Sequence, residues 1–140
     1  MRDFRGKRLD TGEWIFGDCV HSVYKIGDTC VGQYGDTLGM HQVTPKTVGQ
    51  YSGIFTMDEQ PDGDTLVTAI YEGDIVEAVL TDGIHTDFSW GRHVVVFDRG
   101  AFCLKDRRGL ITPMCNYSVN VKFKVLGNVF DNPELWEVSE

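Results

Sequence analysis

The stretch that decides the fold is Val119-Asn120-Val121-Lys122-Phe123-Lys124-Val125, near the end of a 140-residue chain. Its apolar residues alternate with Asn120 and two lysines. Successive side chains of a β-strand point to opposite faces of the sheet. This period of two therefore predicts a half-buried strand, with valines and Phe123 facing a core and the lysines facing solvent.

Further strand patterns lie upstream and are separated by glycine and aspartate turns. Ile75 to Leu80 is almost entirely apolar, which predicts a strand buried on both faces. The β-branched run His93 to Phe97 ends at Asp98-Arg99-Gly100, and Ala101 to Lys105 follows. A turn between two such runs predicts a β-hairpin.

Helix signals are restricted to two places where proline can occupy the first helical position. Thr44 precedes Pro45, and Asn132 precedes Pro133, so each pair predicts a short helical turn with a capping side chain. The fold class predicted is mainly β (β-rich α+β), with short antiparallel strands and one or two short helical turns. We expect a single domain over residues 1–140, with exposed loops near 57–64 and 81–92.

The chain is acidic, with a net charge of -8, and the charge is unevenly distributed. By segment, residues 1–8 carry +3, 9–91 carry -12, 92–124 carry +5 and 125–140 carry -4. This balance disfavours bulk capture of nucleic acid. Three interpretations of this uneven charge are open. The acidic and basic stretches could pack against each other, they could give electrostatic complementarity between copies of the chain, or the basic stretch could form a local patch for an anionic partner.

The cellular compartment and the cofactors are predicted from signals and motifs that the sequence lacks. It has no apolar run of about eighteen residues and no secretory signal at its start, which predicts a cytoplasmic protein without a membrane partner. We therefore expect reduced thiols at Cys19, Cys30, Cys103 and Cys115. Neither a phosphate-binding nor a dinucleotide-binding motif is found, and no cofactor is predicted.

The best candidate for catalysis or metal binding is the set His85, Asp87 and His93. His85 and Asp87 would share one face of an extended strand, and His93 could return beside them to complete a nitrogen and oxygen ligand set. Exposed loops carry histidine and aspartate routinely, so the prediction remains a non-enzymatic protein with no metal.

A second candidate site is basic. Lys122 and Lys124 occupy the polar face of the last long strand, and Arg107 and Arg108 occupy a hairpin tip that we expect nearby. Phe102 or Tyr117 could supply stacking surfaces for bases, as in small nucleic-acid-binding barrels.

Four motifs, in the same order as in the family, make the chain resemble the YopX-like proteins of bacteriophages and prophages. The matching segments are Phe4-Arg5-Gly6-Lys7-Arg8 with Asp10-Thr11-Gly12-Glu13-Trp14, Thr47-Val48-Gly49-Gln50-Tyr51-Ser52-Gly53, Ile70-Tyr71-Glu72-Gly73-Asp74-Ile75-Val76, and Val125-Leu126-Gly127-Asn128-Val129-Phe130-Asp131-Asn132-Pro133-Glu134-Leu135. The chain departs from the family pattern at residues 54–69, where the family usually has a short polar turn.

The resemblance implies a β-rich fold with a barrel-like (SH3-like) half, a phage or prophage origin and residence in the bacterial cytoplasm. It implies no catalytic residues. We expect the shared motif residues to define the fold; they are Gly49, Gly53, Glu72, Gly73, Asp74, Gly127, Asn128 and Pro133. The leading hypothesis is a homo-oligomeric binding or assembly module, whose further partner could be a host or phage protein. The alternatives are a nucleic-acid-binding barrel and, third, a metal-assisted enzyme.

Overall fold

The computed structural model describes residues 3–20, 25–27, 41–81, 87–117 and 120–137. The chain divides into two compact units, Met1–Tyr51 and Ser52–Glu140. Strands dominate the described residues, and they form two antiparallel sheets, one of which curls into a half-barrel. The predicted mainly-β fold is therefore confirmed. The described residues contain no helix long and apolar enough to cross a membrane.

The first unit is a set of short antiparallel strands. They are β1 (Phe4–Lys7), β2 (Trp14–Val20), β3 (Lys25–Gly27), β4 (His41–Gln42) and the beginning of β5 (Gly49–Glu59). β1 lies between β2 and the first residues of β5, and β3 joins β2 to β4. The Arg5 guanidinium of β1 lies 4.6 Å from the ring centre of Trp14, which is close enough for a cation–π interaction.

The predicted turn at Pro45 is present as a 3₁₀ helix, Pro45–Thr47, but its cap differs from the prediction. The Thr44 side chain makes no capping hydrogen bond. Instead, the backbone N–H of Thr47 donates to the Thr44 carbonyl at 3.0 Å. The buried Thr47 hydroxyl accepts from Lys7 N at 2.9 Å, so the turn is tied to β1.

The second unit continues β5 and adds most of the sheet structure. Its further elements are β6 (Thr65–Tyr71), β7 (Asp74–Leu80), β8 (Phe88–Asp98), β9 (Ala101–Lys105), β10 (Ile111–Pro113), a 3₁₀ helix (Met114–Asn116), β11 (Val121–Asn128) and the helix α1 (Pro133–Glu137). The order in the five-stranded sheet is β10-β9-β8-β7-β11. The predicted hairpin is confirmed, because Asp98 of β8 pairs with Ala101 of β9.

The core of the second unit lies under this sheet. Seven buried residues form one cluster: Ile70, Val76, Ala78, Val95, Leu104, Met114 and Phe123. Phe123 is only 8% exposed, whereas its neighbours Lys122 and Lys124 are exposed. The alternation that predicted the strand therefore holds along β11, which begins at Val121; Val119 lies outside the described residues.

The two predicted loops are shorter in the structure. Met57 to Glu59 belong to β5, and Gln60 N donates to the Asp64 carbonyl at 2.7 Å across the hairpin end. The three intervening residues are Pro61, Asp62 and Gly63, a combination typical of a three-residue hairpin turn. Similarly, Phe88 to Arg92 belong to β8, and residues 82–86 lie outside the described residues.

Candidate functional site

Asp87 and His93 are the described members of the first candidate constellation, and they do not lie side by side. Asp87 immediately precedes β8, and His93 lies within that same strand, six positions further on. At about 3.3 Å per strand residue, the two side chains start on the order of 20 Å apart. His93 is buried, and its Nδ1 donates to the Gly91 carbonyl at 3.1 Å. His93 therefore does not return beside Asp87, because both belong to one extended segment, which has a bulge between Ser89 and Arg92. His85 lies outside the described residues, so the three-residue site stays a prediction.

The four candidate basic residues are also separated along the sheet. Lys122 and Lys124 are in β11 at one edge, whereas Arg107 and Arg108 follow β9 in the turn before β10, at the other edge. Arg107 donates to the Leu135 carbonyl at 3.3 Å. The two pairs of basic residues, which we expected near each other, thus lie at opposite edges of the sheet.

The turn that carries the arginines is organised by Asp106. Its Oδ1 accepts from the backbone N–H groups of Arg108 and Leu110, each at 2.9 Å, and the Arg108 guanidinium lies 3.5 Å from Oδ2. Burial alone would raise the pKa of Asp106, but these hydrogen bonds and the Arg108 charge outweigh it and hold the pKa below its ordinary value. Arg108 therefore helps to order its own turn.

The described thiols at Cys19, Cys103 and Cys115 are free. Burial raises the pKa of Cys103 and of Cys19, which disfavours the reactive thiolate at both positions. Cys115 is exposed. Cys30 lies outside the described residues.

An aromatic row crosses the second unit. Ring centres are 5.3 Å apart for Phe88 and Trp90, 6.2 Å for Trp90 and Tyr117, and 5.4 Å for Tyr117 and Phe123, all edge to face. Phe88 and Trp90 are about half exposed. Tyr117, a predicted stacking residue, is half-buried and contacts Trp90 and Phe123 within this row, and burial raises its pKa.

The second predicted stacking residue, Phe102, packs edge to face against Phe97, with ring centres 5.0 Å apart.

Sequence reasoning missed the most prominent surface feature, a hairpin with apolar residues exposed along it. We call residues 52–71 the arm; it consists of β5 from Ser52 onward, the turn at 60–64 and β6. Its exposed large apolar side chains are Phe55, Met57, Leu66 and Val67, and they are 46% to 58% exposed. The acidic and polar residues of this stretch suggested a loop. They concealed a strand alternation, in which Phe55 and Met57 share one face and Ile54, Thr56 and Asp58 share the other.

A groove of about 810 Å³ lies between the arm and β11. It is lined by five consecutive arm residues, Ile54 to Asp58, and four consecutive β11 residues, Val121 to Lys124. The other lining residues are Glu77, Val79, Thr81 and Asp87. Glu77 and Val79 of β7 pair with Lys124 and Lys122 of β11, so these four lining residues share one face of the sheet.

A comparison with protein-family models identifies the relatives of this chain. The model described as YopX protein matches residues 3–137, nearly the whole length. The chain belongs to the YopX family. Comparison with curated proteins and with solved structures gave no match. Membership of the YopX family agrees with the four motifs, but the family assigns no chemistry to them.

Two of the YopX motif segments meet at one turn of the second unit. Gly73, with a φ of 93°, donates its N–H to the Val95 carbonyl at 2.8 Å and accepts from Val129 N at 3.0 Å. The buried Asp74 carboxylate accepts from Tyr71 N at 2.8 Å. Glu72 is half-buried at the same turn. These contacts close the β6–β7 connection and join it to the residues after β11.

The last YopX motif forms a turn around Asn128. Its Oδ1 accepts from Phe130 N at 3.0 Å and from Asp131 N at 2.9 Å. Asn132 Oδ1 accepts from Asn128 N at 3.3 Å, so the predicted helix-capping side chain points back to the turn. Helix α1 then begins at Pro133.

The remaining motif glycines lie in β5. Gly49 is buried and pairs with Arg5 of β1, and Gly53 is exposed where the arm begins.

Proposed function

We propose that this YopX chain is a non-enzymatic phage or prophage module of the bacterial cytoplasm that assembles with copies of itself. The observation that carries the proposal is the arm, whose four exposed large apolar residues lie within thirteen positions of each other. Contiguous exposed apolar surface typically marks an interaction site. The arm therefore supports self-association through apolar contacts.

The apolar residues of the arm share faces across the hairpin. Counted from the hydrogen bond between Gln60 and Asp64, antiparallel pairing puts Met57 opposite Val67. Phe55 lies two residues before Met57 and so shares its face. One face of the arm thus presents a ridge of three exposed apolar side chains.

The strength of an arm-mediated contact follows from these exposures. Full burial of a Phe or Met side chain contributes about 1.5–3 kcal/mol, and Phe55 and Met57 have about half of their surface left to bury. Each would contribute roughly 1 kcal/mol on association. In a symmetric pair, four such side chains would contribute roughly 3–6 kcal/mol, which corresponds to a change in Kd of about 10² to 10⁴.

The test is light scattering after size exclusion over a range of protein concentrations. We expect the native chain to elute at two or more times its chain mass. The double variant F55S/M57S should dissociate at concentrations about 100-fold higher or more. The control L9S/L110S removes two apolar side chains that are exposed to a similar degree elsewhere, and it should assemble normally. A native chain that stays monomeric at every concentration would contradict the proposal.

Nucleic-acid binding is the second candidate, and the half-exposed Phe88 and Trp90 favour it because bases stack on exposed aromatic rings. The net charge of -8 disfavours it, since most approaches would repel a polyanion. The ratio of absorbance at 260 and 280 nm, measured before and after nuclease, separates the two candidates. Nuclease-sensitive absorbance that co-elutes with a monomer would put nucleic-acid binding first.

A further inference from the structure

We propose that Cys103 and Cys115 form a reversible disulfide when the chain meets hydrogen peroxide. Cys115 is the thiol that the peroxide oxidises first, and Cys103 is the thiol that then closes the bond. We call these two cysteines the thiol pair; both lie in the second unit and outside the arm. Disulfides that form in a reducing compartment are usually transient and redox-sensing, which is the role we assign to this pair.

Strand pairing brings the two cysteines onto neighbouring elements. β9 and β10 are antiparallel, and Cys103 of β9 pairs with Pro113 of β10. The 3₁₀ helix begins at the next residue, so Cys115 lies two positions beyond the partner of Cys103. Paired Cα atoms of antiparallel strands are about 5 Å apart and a 3₁₀ helix rises about 2 Å per residue, which puts the two cysteine Cα atoms roughly 6–7 Å apart. This separation is at the wider end of the range that a disulfide spans.

The Cys103 side chain leans toward the end of β9 at which Cys115 lies. Its Sγ donates to the Ala101 carbonyl at 3.5 Å, so it points back toward the beginning of β9. The beginning of β9 lies beside the end of β10, because the two strands are antiparallel, and Cys115 follows that end. Cys103 also precedes the core residue Leu104, so it faces away from the core cluster. The strand register and the direction of Sγ thus both bring the Cys103 thiol toward Cys115.

The surroundings of the two thiols assign their roles. Cys115 is exposed, so a peroxide dissolved in water reaches it directly. Burial, the charge of Asp98 and the neighbouring Cys115 raise the pKa of Cys103. The thiolate is the form that peroxides oxidise, so Cys103 stays protonated and is not oxidised first. That Cys115 acts electrostatically on Cys103 also agrees with the short separation given by the strand register.

The reaction consumes one hydrogen peroxide and proceeds in two steps. The Cys115 thiolate attacks a peroxide oxygen, the O–O bond breaks and hydroxide leaves, so the sulfur is oxidised to a sulfenic acid while the peroxide is reduced. The Cys103 sulfur then attacks the Cys115 sulfur, and the S–O bond breaks. The leaving hydroxide takes the Cys103 proton and departs as water. A dithiol reverses the bond by exchange and becomes a disulfide itself.

We expect the disulfide to act on the aromatic row. Tyr117 directly follows the 3₁₀ helix, and its N–H donates to the Met114 carbonyl at 3.3 Å. The Tyr117 ring contacts Trp90 and Phe123. A bond at Cys115 ties this helix to β9 and restricts the segment that positions Tyr117. Oxidation therefore fixes one support of the row whose outer rings are half exposed.

The test is brief oxidation of the native chain with hydrogen peroxide, alkylation of the remaining thiols, trypsin digestion and mass spectrometry without reduction. Each cysteine falls in its own tryptic peptide, namely 9–25 for Cys19, 26–46 for Cys30, 100–105 for Cys103 and 109–122 for Cys115. We expect peptide 100–105 to be linked to peptide 109–122, and a dithiol to release the link. On a non-reducing denaturing gel the oxidised chain should keep the mass of one chain.

Two single variants separate the two steps. In C103S the sulfenic acid of Cys115 has no resolving thiol, so a 1,3-diketone such as dimedone should label peptide 109–122. C115S should give neither the label nor the link. The matched control C19S/C30S leaves the thiol pair intact and should form the link as the native chain does.

The oxidised native chain should also have a Tm about 5–10 °C above that of the reduced chain, because closing a loop of about a dozen residues constrains the unfolded state. C115S given the same treatment should show no such shift.

Four results would each overturn the proposal, and all of them are measured on the native chain. They are four thiols that stay free, a persistent sulfenic acid at Cys115 without the link, a link from Cys115 to Cys19, Cys30 or another chain, and oxidation of Cys103 ahead of Cys115. None of these results depends on whether the chain self-associates through the arm, so the thiol pair and the proposed function stand or fall separately.

Discussion

Replacement of Gly127 by alanine tests the turn that joins β11 to α1. A Cβ at this position would lie 2.8 Å from Asn132 Cγ and closer still to its Oδ1. The same Oδ1 accepts from Asn128 N at 3.3 Å. The added methyl group must therefore displace the Asn132 side chain and break that hydrogen bond. No residue larger than glycine fits without such a movement.

The magnitude can be worked out for a double-mutant cycle. Overpacking of this kind costs about 1–3 kcal/mol, so Gly127→Ala should lower the free energy of unfolding by that amount. Asn132→Ala removes one partly buried hydrogen bond and should cost about 0.5–1.5 kcal/mol. In the double variant the clashing Oδ1 and Cγ are gone, and only Asn132 Cβ remains, at 3.1 Å. The double variant should thus be little less stable than Asn132→Ala alone, with a coupling of roughly 1–2 kcal/mol.

The assay is urea unfolding followed by tryptophan fluorescence, at one fixed protein concentration because self-association would itself shift stability. The contrary outcome is that the decreases in the free energy of unfolding of the two single variants add up to that of the double variant within about 0.5 kcal/mol. In that case the side chain of Asn132 is not what excludes a methyl group at position 127. The requirement for glycine would then have another cause.

Three further predictions concern the second unit. Leu104→Ala should cost about 2–5 kcal/mol in a urea titration, because Leu104 is fully buried, whereas Lys105→Ala on the exposed face should change stability by less than about 0.5 kcal/mol. In the native state Cys115 should react with a thiol reagent well before Cys103, whose pKa is raised by burial; equal rates would contradict the assigned exposures. Burial alone would raise the pKa of Asp106, but its hydrogen bonds hold that pKa below the unfolded value. The carboxylate therefore stabilises the fold above its unfolded pKa, and this stabilisation is lost as the pH falls through the folded pKa. The free energy of unfolding of Asp106→Asn should thus fall less than that of the native chain between about pH 5 and pH 3.

Local pattern determined much of this protein from the sequence alone. The alternation around Phe123 predicted which β11 residues face the core, because the period of a strand is set by the backbone and not by its neighbours. Proline at positions 45 and 133 marked two of the three described helical turns, since its fixed φ suits the first helical residue. The family was also readable, because its motifs are local turns with fixed chemistry.

The candidate sites were less predictable. His93 and Asp87 were expected to approach each other. They lie six positions apart along an extended segment, because β8 begins at Phe88, five residues before the β-branched run that starts at His93. The arm was read as a loop because its acidic residues and turn signals outweighed a short alternation. Neither error could be corrected from spacing, since both depend on where strands pair.

Tertiary structure alone decided which strand edges are open. β7 and β11 lie more than forty residues apart and yet pair along their length, which makes β11 the last strand of its sheet. Only that pairing turns Lys122 and Lys124 from the solvated face of a strand into the rim of a groove opposite an acidic arm. The sequence determined which residues along each strand are apolar, basic or acidic. Non-local pairing determined which of these residues face one another, because hydrogen bonding between strands depends on the whole sheet and not on any one segment.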